Sequence, residues 1–249
     1  MTDPTFLSGV PAQAVTAALR RAPGNELASG KFSGPESSSA LVANAFGWFL
    51  DRPTALPSLP GVPMGQAEAV DLTVEMHFPW QGGRHPFADV AITTPTTLVS
   101  LISKRYEPFR PAKRAEFTEE FEAREWGVGM ANYHAMRRAL VDGQASYRHL
   151  DAVQLVKHAY GLRTQALKRA RGAVLVYLHA SPAEWANGKP LNPAAIASHQ
   201  AEIDNFARAV KGDVVTFAPV RWIDLLAQWS RIPELAVHAK AVANTFGPI

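Results

Sequence analysis

Asp89 stands near the start of the apolar run ADVAI, and Lys104 ends the next one, TLVSLISK, with the turn Thr94-Pro95-Thr96-Thr97 between the two runs. A carboxylate offers the hard oxygen that a cation such as Mg²⁺ takes, and a lysine offers a compact positive charge to an anion. Register decides whether the two groups share a site. With Pro95-Thr96 as a two-residue turn, Thr94 opposes Thr97, and counting outward brings Asp89 opposite Ile102. Directly opposed side chains lie about 4.5–5.5 Å apart on one face, and Lys104 flanks the same site one alternation further on. The site drawn this way has one carboxylate, one ammonium and an aliphatic wall. If the preceding hairpin is centred on Gly82, Glu75 opposes Asp89 by the same count and brings a second carboxylate to that face. Glu36 and Glu107 are further acidic candidates, and Glu107 is also a natural structural partner for Arg105 or Arg110.

The elements that must position these residues are legible as patterns. Residues 1–35 read as a partly ordered arm with one helix-like piece, Ala12 to Arg21. In ESSSALVANAFGWFL the serines supply an N-cap, and Leu41, Ala45, Phe46 and Phe49 recur at helical spacing. Prolines from Pro53 to Pro63 end that helix. The stretch EAVDLTVEMHF alternates as a strand, with Val70, Leu72, Val74 and Met76 expected on one face. With ADVAI and TLVSLISK it makes a three-stranded meander. Helical, charged sequence fills residues 113–161; AVLVYLHA then reads as a central strand and VVTFAPV as a last one, with a helix from about Pro193 to Lys211 between them. The expected architecture is α/β: a mixed β-sheet flanked by helices, with extra helices between the meander and the central strand, in a single domain over residues 36–249.

Composition narrows the field. Of 249 residues, 47% are hydrophobic and 19% charged, which excludes a disordered chain, and a net charge of +3 permits a polyanionic partner without requiring one. The absence of cysteine rules out disulfides and thiolate metal sites. No apolar stretch approaches the roughly 18 to 20 residues of a membrane span and no leader pattern opens the chain, so the expectation is a cytoplasmic protein. There is no Gly-x-Ser-x-Gly elbow, Walker lysine loop or dinucleotide fingerprint.

Taken in order, the strings SSSALVANAFG, GGRHPFADVAI, SKRYEPFR and LDAVQLVKHAYGL give the chain a resemblance to the restriction-endonuclease-like PD-(D/E)xK superfamily, over roughly residues 36–220. That resemblance implies a Mg²⁺-dependent nuclease, with Mn²⁺ as an alternative ion, cleaving phosphodiester bonds in DNA; the same fold without the reaction would bind nucleic acid or a protein partner. It implies that Asp89 is a metal ligand and that Lys104 positions or activates the attacking water. The motif's second acidic residue falls on Ile102, which cannot bind a metal, and Glu75 is the expected replacement. The resemblance also makes Gln154 and Lys157, three residues apart on one helix, candidates for contacts to a metal-bound water or a phosphate. Arg105, Arg110, Lys113 and Arg114, interleaved with Tyr106 and Phe109, form a basic cluster suited to a phosphate backbone. A transition-metal site of His77, His85 and Asp89 is a weaker alternative, and His158 reads as helix surface or packing.

Overall fold

The structure is a computed structural model that describes residues 5–22, 26–80, 84–111, 116–123 and 126–249. The arm carries α1 (Ala12–Arg21), and α2 (Ser38–Gly47) follows it. Ser37 caps α2, its hydroxyl accepting the Ala40 N–H at 3.1 Å. The meander is β1 (Ala69–Glu75), β2 (Phe87–Thr93) and β3 (Thr97–Lys104), and then come α3 (Glu120–Ala123), α4 (Ala131–Val141) and α5 (Ala152–Lys168). The chain ends with β4 (Gly172–His179), α6 (Pro193–Ala209), β5 (Val215–Arg221), α7 (Trp222–Trp229) and α8 (Pro233–Phe246).

The five strands form one open mixed sheet in the order β1-β2-β3-β4-β5. The first three pair antiparallel, while β3, β4 and β5 pair parallel. Parallel neighbours need a crossover, and α4 with α5 supplies the first and α6 the second. Strand β4 lies between two parallel neighbours and is buried from Ala173 to His179, as its unbroken apolar run requires. On one side of the sheet Val90, Ile92, Val99, Leu101, Val174 and Val176 meet α2, α7 and α8. Val15, Ala18 and Leu19 of the N-terminal arm join that layer, with Phe32. On the other side Leu98, Ile102, Leu175 and Tyr177 meet α4, α5 and α6. Among the described residues, no helix is long and apolar enough to cross a membrane.

Strand β1 departs from the expected alternation. Thr73 has φ +50°, a left-handed conformation that a β-branched residue adopts only under constraint, and its hydroxyl donates to the Ala18 carbonyl at 2.6 Å. This single residue splits the expected face. Val70 and Leu72 lie in the α2 layer, whereas Met76 packs with Val74, Ala88 and Ala91.

Candidate functional site

The turn after β2 closes as its sequence demands: the Thr94 N–H donates to the Thr97 carbonyl at 2.9 Å, and the Thr94 hydroxyl accepts the Thr97 N–H at 2.9 Å. Pairing then runs from Thr93 opposite Leu98 to Val90 opposite Leu101, and the next step of that count brings Asp89 to Ile102. The next ladder bond in an antiparallel pair would take the Ser103 N–H to Ala88. Instead Asp89 Oδ2 accepts that N–H, at 2.6 Å. A side chain thus replaces backbone where the two strands part, and the Ser103 hydroxyl accepts from Trp222 Nε1 at 3.1 Å on the far side.

Lys104 sits at the end of β3, partly exposed, and its ammonium makes no hydrogen bond or ion pair among the described residues. Glu107 follows in a short 3₁₀ turn, Glu107–Phe109. Its carboxylate accepts the Arg105 N–H at 2.9 Å and the hydroxyl of Ser38, the first residue of α2. The Asp89 carboxyl is raised to about 6: desolvation is the largest cause, the Lys104 charge and the Ser103 N–H oppose it, and the carboxylates of Glu107 and Glu26 add to the rise. Asp89 is therefore an acid of raised pKa with one cation and two other acids in its field. Glu26 carries no signal in the sequence, since it lies in the Pro/Gly-rich arm without periodic context.

The raised Asp89 value has a stability consequence. A carboxyl with a folded-state pKa above its ordinary 3.8 binds its proton more tightly when folded, so its contribution opposes folding above about pH 6 and vanishes below about pH 4. Asp89→Asn keeps an acceptor for Ser103 but removes the charge. It is expected to stabilise the protein at pH 7.5 by at most about 3 kcal/mol, with the gain disappearing as pH falls toward 4. Urea denaturation of both proteins at the two pH values measures this. A variant no more stable than wild type at pH 7.5 would remove the description of Asp89 as a partly desolvated charge.

The structure brings some of the other candidates to this site and places others elsewhere. Glu75 does not oppose Asp89: it pairs with Phe87, because the β1–β2 hairpin is centred one residue earlier than Gly82. Its carboxylate lies instead with His77 and His85, the three ligand atoms all within 4.8 Å of one another, and the His77 Nε2 contact is 3.3 Å. The carboxylate joining those two histidines is thus Glu75, not Asp89. The His85 Nδ1 accepts the Phe78 N–H at 3.1 Å, so the neutral ring carries its proton on Nε2 and has no lone pair left there for a metal.

Arg105 is another correction. It is 0% exposed, with Nη1 donating to the Pro35 carbonyl at 2.9 Å, Nε and Nη2 to the Pro248 carbonyl at 3.3 Å, and its guanidinium over the Tyr106 ring. It ties the segment before α2 to the C-terminal residues and presents no charge to a phosphate backbone. Arg110 is exposed but paired with Glu36, beside the ring of Trp185. Lys113 and Arg114 lie outside the described residues. Lys157 donates to the Glu116 carbonyl at 2.7 Å over the rings of Phe117 and Phe121, which turns it away from the phosphate contact expected of it. Gln154 is half-buried on α5, its N–H capped by Asp151 at 2.8 Å. One turn later on the same helix, His158 is fully buried and in the field of the Lys104 charge.

No family model matches the chain, and neither the curated proteins nor the solved structures include a match.

Proposed function

We propose that this chain is a restriction-endonuclease-like protein that hydrolyses phosphodiester bonds in DNA with Mg²⁺ or Mn²⁺. The observation that supports this reading most strongly is that Asp89, held by the Ser103 N–H where β2 and β3 part, lies in the field of the Lys104 ammonium, which makes no hydrogen bond among the described residues. Mg²⁺ takes one or two protein carboxylates and keeps several waters. Asp89, whose Oδ1 has no protein partner among the described residues, suits the first place, and Glu107, which already shares its field, suits the second in place of Glu75. The ion would supply charge neutralisation at the scissile phosphate and a more acidic water. Lys104 contributes a fixed positive charge beside that phosphate, and Arg110, at the rim, offers a guanidinium to the flanking backbone if Glu36 releases it.

Ile102 favours the second reading, a protein that binds nucleic acid or a protein partner without cleaving. It is 2% exposed and stands where the resemblance expects an acid. Incubating the purified protein with supercoiled and single-stranded DNA in Mg²⁺ or Mn²⁺ separates the two: cleavage supports the hydrolase, and binding without cleavage on every substrate supports the binder. Ile102→Glu sharpens the comparison. It buries a carboxylate, costing about 1–3 kcal/mol in the absence of divalent ions. In Mg²⁺ it is expected to regain that stability and cleave at least about 10-fold faster than wild type, since a second carboxylate has been restored to the ion. Thermal melts with and without Mg²⁺, beside the cleavage assay, measure both. A melt indifferent to Mg²⁺ would sink the proposed ion position.

A further inference from the structure

Buried polar groups almost always find a partner, and those that do not call for an explanation. His158 is 1% exposed on α5, its Nδ1 has no hydrogen-bond partner, and the ring makes no hydrogen bond to any described residue. Other buried histidines of this chain differ. His199 Nε2 lies 2.9 Å from the Tyr177 hydroxyl, and His238, whose Nδ1 is also unpartnered, is anchored through Nε2, 3.0 Å from the Ala45 carbonyl. His179 also lacks a hydrogen bond, but aromatic packing accounts for it, with its ring stacked on Tyr177 at 5.6 Å and edge-on to His199 at 5.5 Å. No comparable ring contact surrounds His158 among the described residues.

The complementary donor lies on the same side of the sheet. Helix α5 packs on β3 and β4, and its buried side faces the same sheet surface from which Ile102 and Lys104 project. The Lys104 ammonium has three N–H donors and, although its charge acts on Asp89, no hydrogen-bond partner among the described residues, at the end of a flexible four-carbon stem. Burial and the Lys104 charge hold the His158 ring neutral, with a pKa pushed down to about 3, so across the physiological range it offers a lone pair and not a competing charge. The helix is set firmly, because Gly161 brings α5 against Met76 of the segment after β1.

We infer that His158 is a positioning residue for Lys104: its imidazole takes one N–H of the ammonium and thereby fixes where that charge stands against a substrate phosphate. The inference rests on the hydrolase reading for its catalytic consequence, but the hydrogen bond itself does not. A substrate phosphate draws the ammonium into the site; two N–H groups remain for the phosphate and water while the third is anchored from behind.

The test uses the full chain with His158→Leu, His158→Gln, Lys104→Met and the Leu/Met double variant, each checked for folding by its melt. On supercoiled DNA in Mg²⁺, His158→Leu is expected to lower kcat about 10-fold with KM unchanged, the scale on which a mispositioned group reduces rate. His158→Gln, which keeps an acceptor, should recover part of that loss, and His158→Leu should add nothing on the Lys104→Met background. Independent losses in the double variant, or equal rates for Leu and wild type, overturn the inference. A second arm needs no turnover. In ¹⁵N-histidine-labelled protein, a single-stranded oligonucleotide with Ca²⁺ should shift the His158 Nδ1 resonance, and Lys104→Met should abolish that shift. A resonance that stays put, or moves equally without Lys104, overturns the inference. If no variant cleaves DNA, the hydrolase reading fails on its own while the nitrogen shift still decides the role of His158.

Discussion

Asp89→Ala is expected to reduce Mg²⁺-dependent DNA cleavage by at least about 10³-fold, the equivalent of about 4 kcal/mol of barrier, while making the folded protein more stable at neutral pH. The two effects have opposite signs for one reason. The same half-buried carboxylate that suits a divalent ion is a burden when no ion is present, as its rise to about 6 records. Ordinary structural residues behave differently, since removing them costs stability and activity together. A single-turnover cleavage time course beside a urea titration at pH 7.5 measures both quantities. Cleavage within a few-fold of wild type would show that Asp89 is not an ion ligand. A large loss of stability would show that its bond to Ser103 is worth more than its charge costs.

Gly161→Val is expected to destabilise the fold by about 3–5 kcal/mol, at the upper end for overpacking because the obstacle is backbone. A Cβ built on Gly161 lies 2.9 Å from the Met76 Cβ and closer still to the Met76 carbonyl oxygen. A helix-interior glycine ordinarily gains about 1 kcal/mol on becoming alanine. Here even alanine should lose stability, since α5 must move away from β1 to admit a methyl group. That movement carries His158 and Gln154 with it, so cleavage should fall along with stability. Chemical denaturation of Gly161→Ala and Gly161→Val gives the result directly, and an alanine variant more stable than wild type would rule out the close approach.

How much of this was legible in the sequence differs from residue to residue. The meander, the parallel β4–α6–β5 unit and the placement of Asp89 against Ile102 follow from short-range constraints. Thr94-Pro95-Thr96-Thr97 leaves room for only one register, and the count outward from it holds through Val90 opposite Leu101, one step short of Asp89 and Ile102. The Glu75 register failed because the sequence between His77 and His85, although it carries the Gly82-Gly83 turn signal, is too long for that pair to fix where the hairpin is centred. The left-handed Thr73 further broke the alternation on which face assignments depend. Arg105 was misread for a different reason. A run of basic residues looks like a surface, and only the carbonyls of Pro35 and Pro248, 70 and 143 residues away in the chain, make its burial affordable. His158 and Glu26 had no local pattern to reveal them, since each matters through what lies across the fold from it. The resemblance in the sequence pointed to Asp89 and Lys104; the neighbours that surround them came from tertiary structure.

The most direct test of the account compares two acids in one experiment. Supercoiled plasmid is incubated in Mg²⁺ or Mn²⁺ with wild type, Asp89→Ala and Glu75→Ala, and the nicked fraction is followed over time. The expected result is nicking by wild type and by Glu75→Ala at similar rates and intact plasmid with Asp89→Ala. Undiminished nicking by Asp89→Ala, or nicking lost only in Glu75→Ala, would contradict the assignment of the chemistry to the parting of β2 and β3.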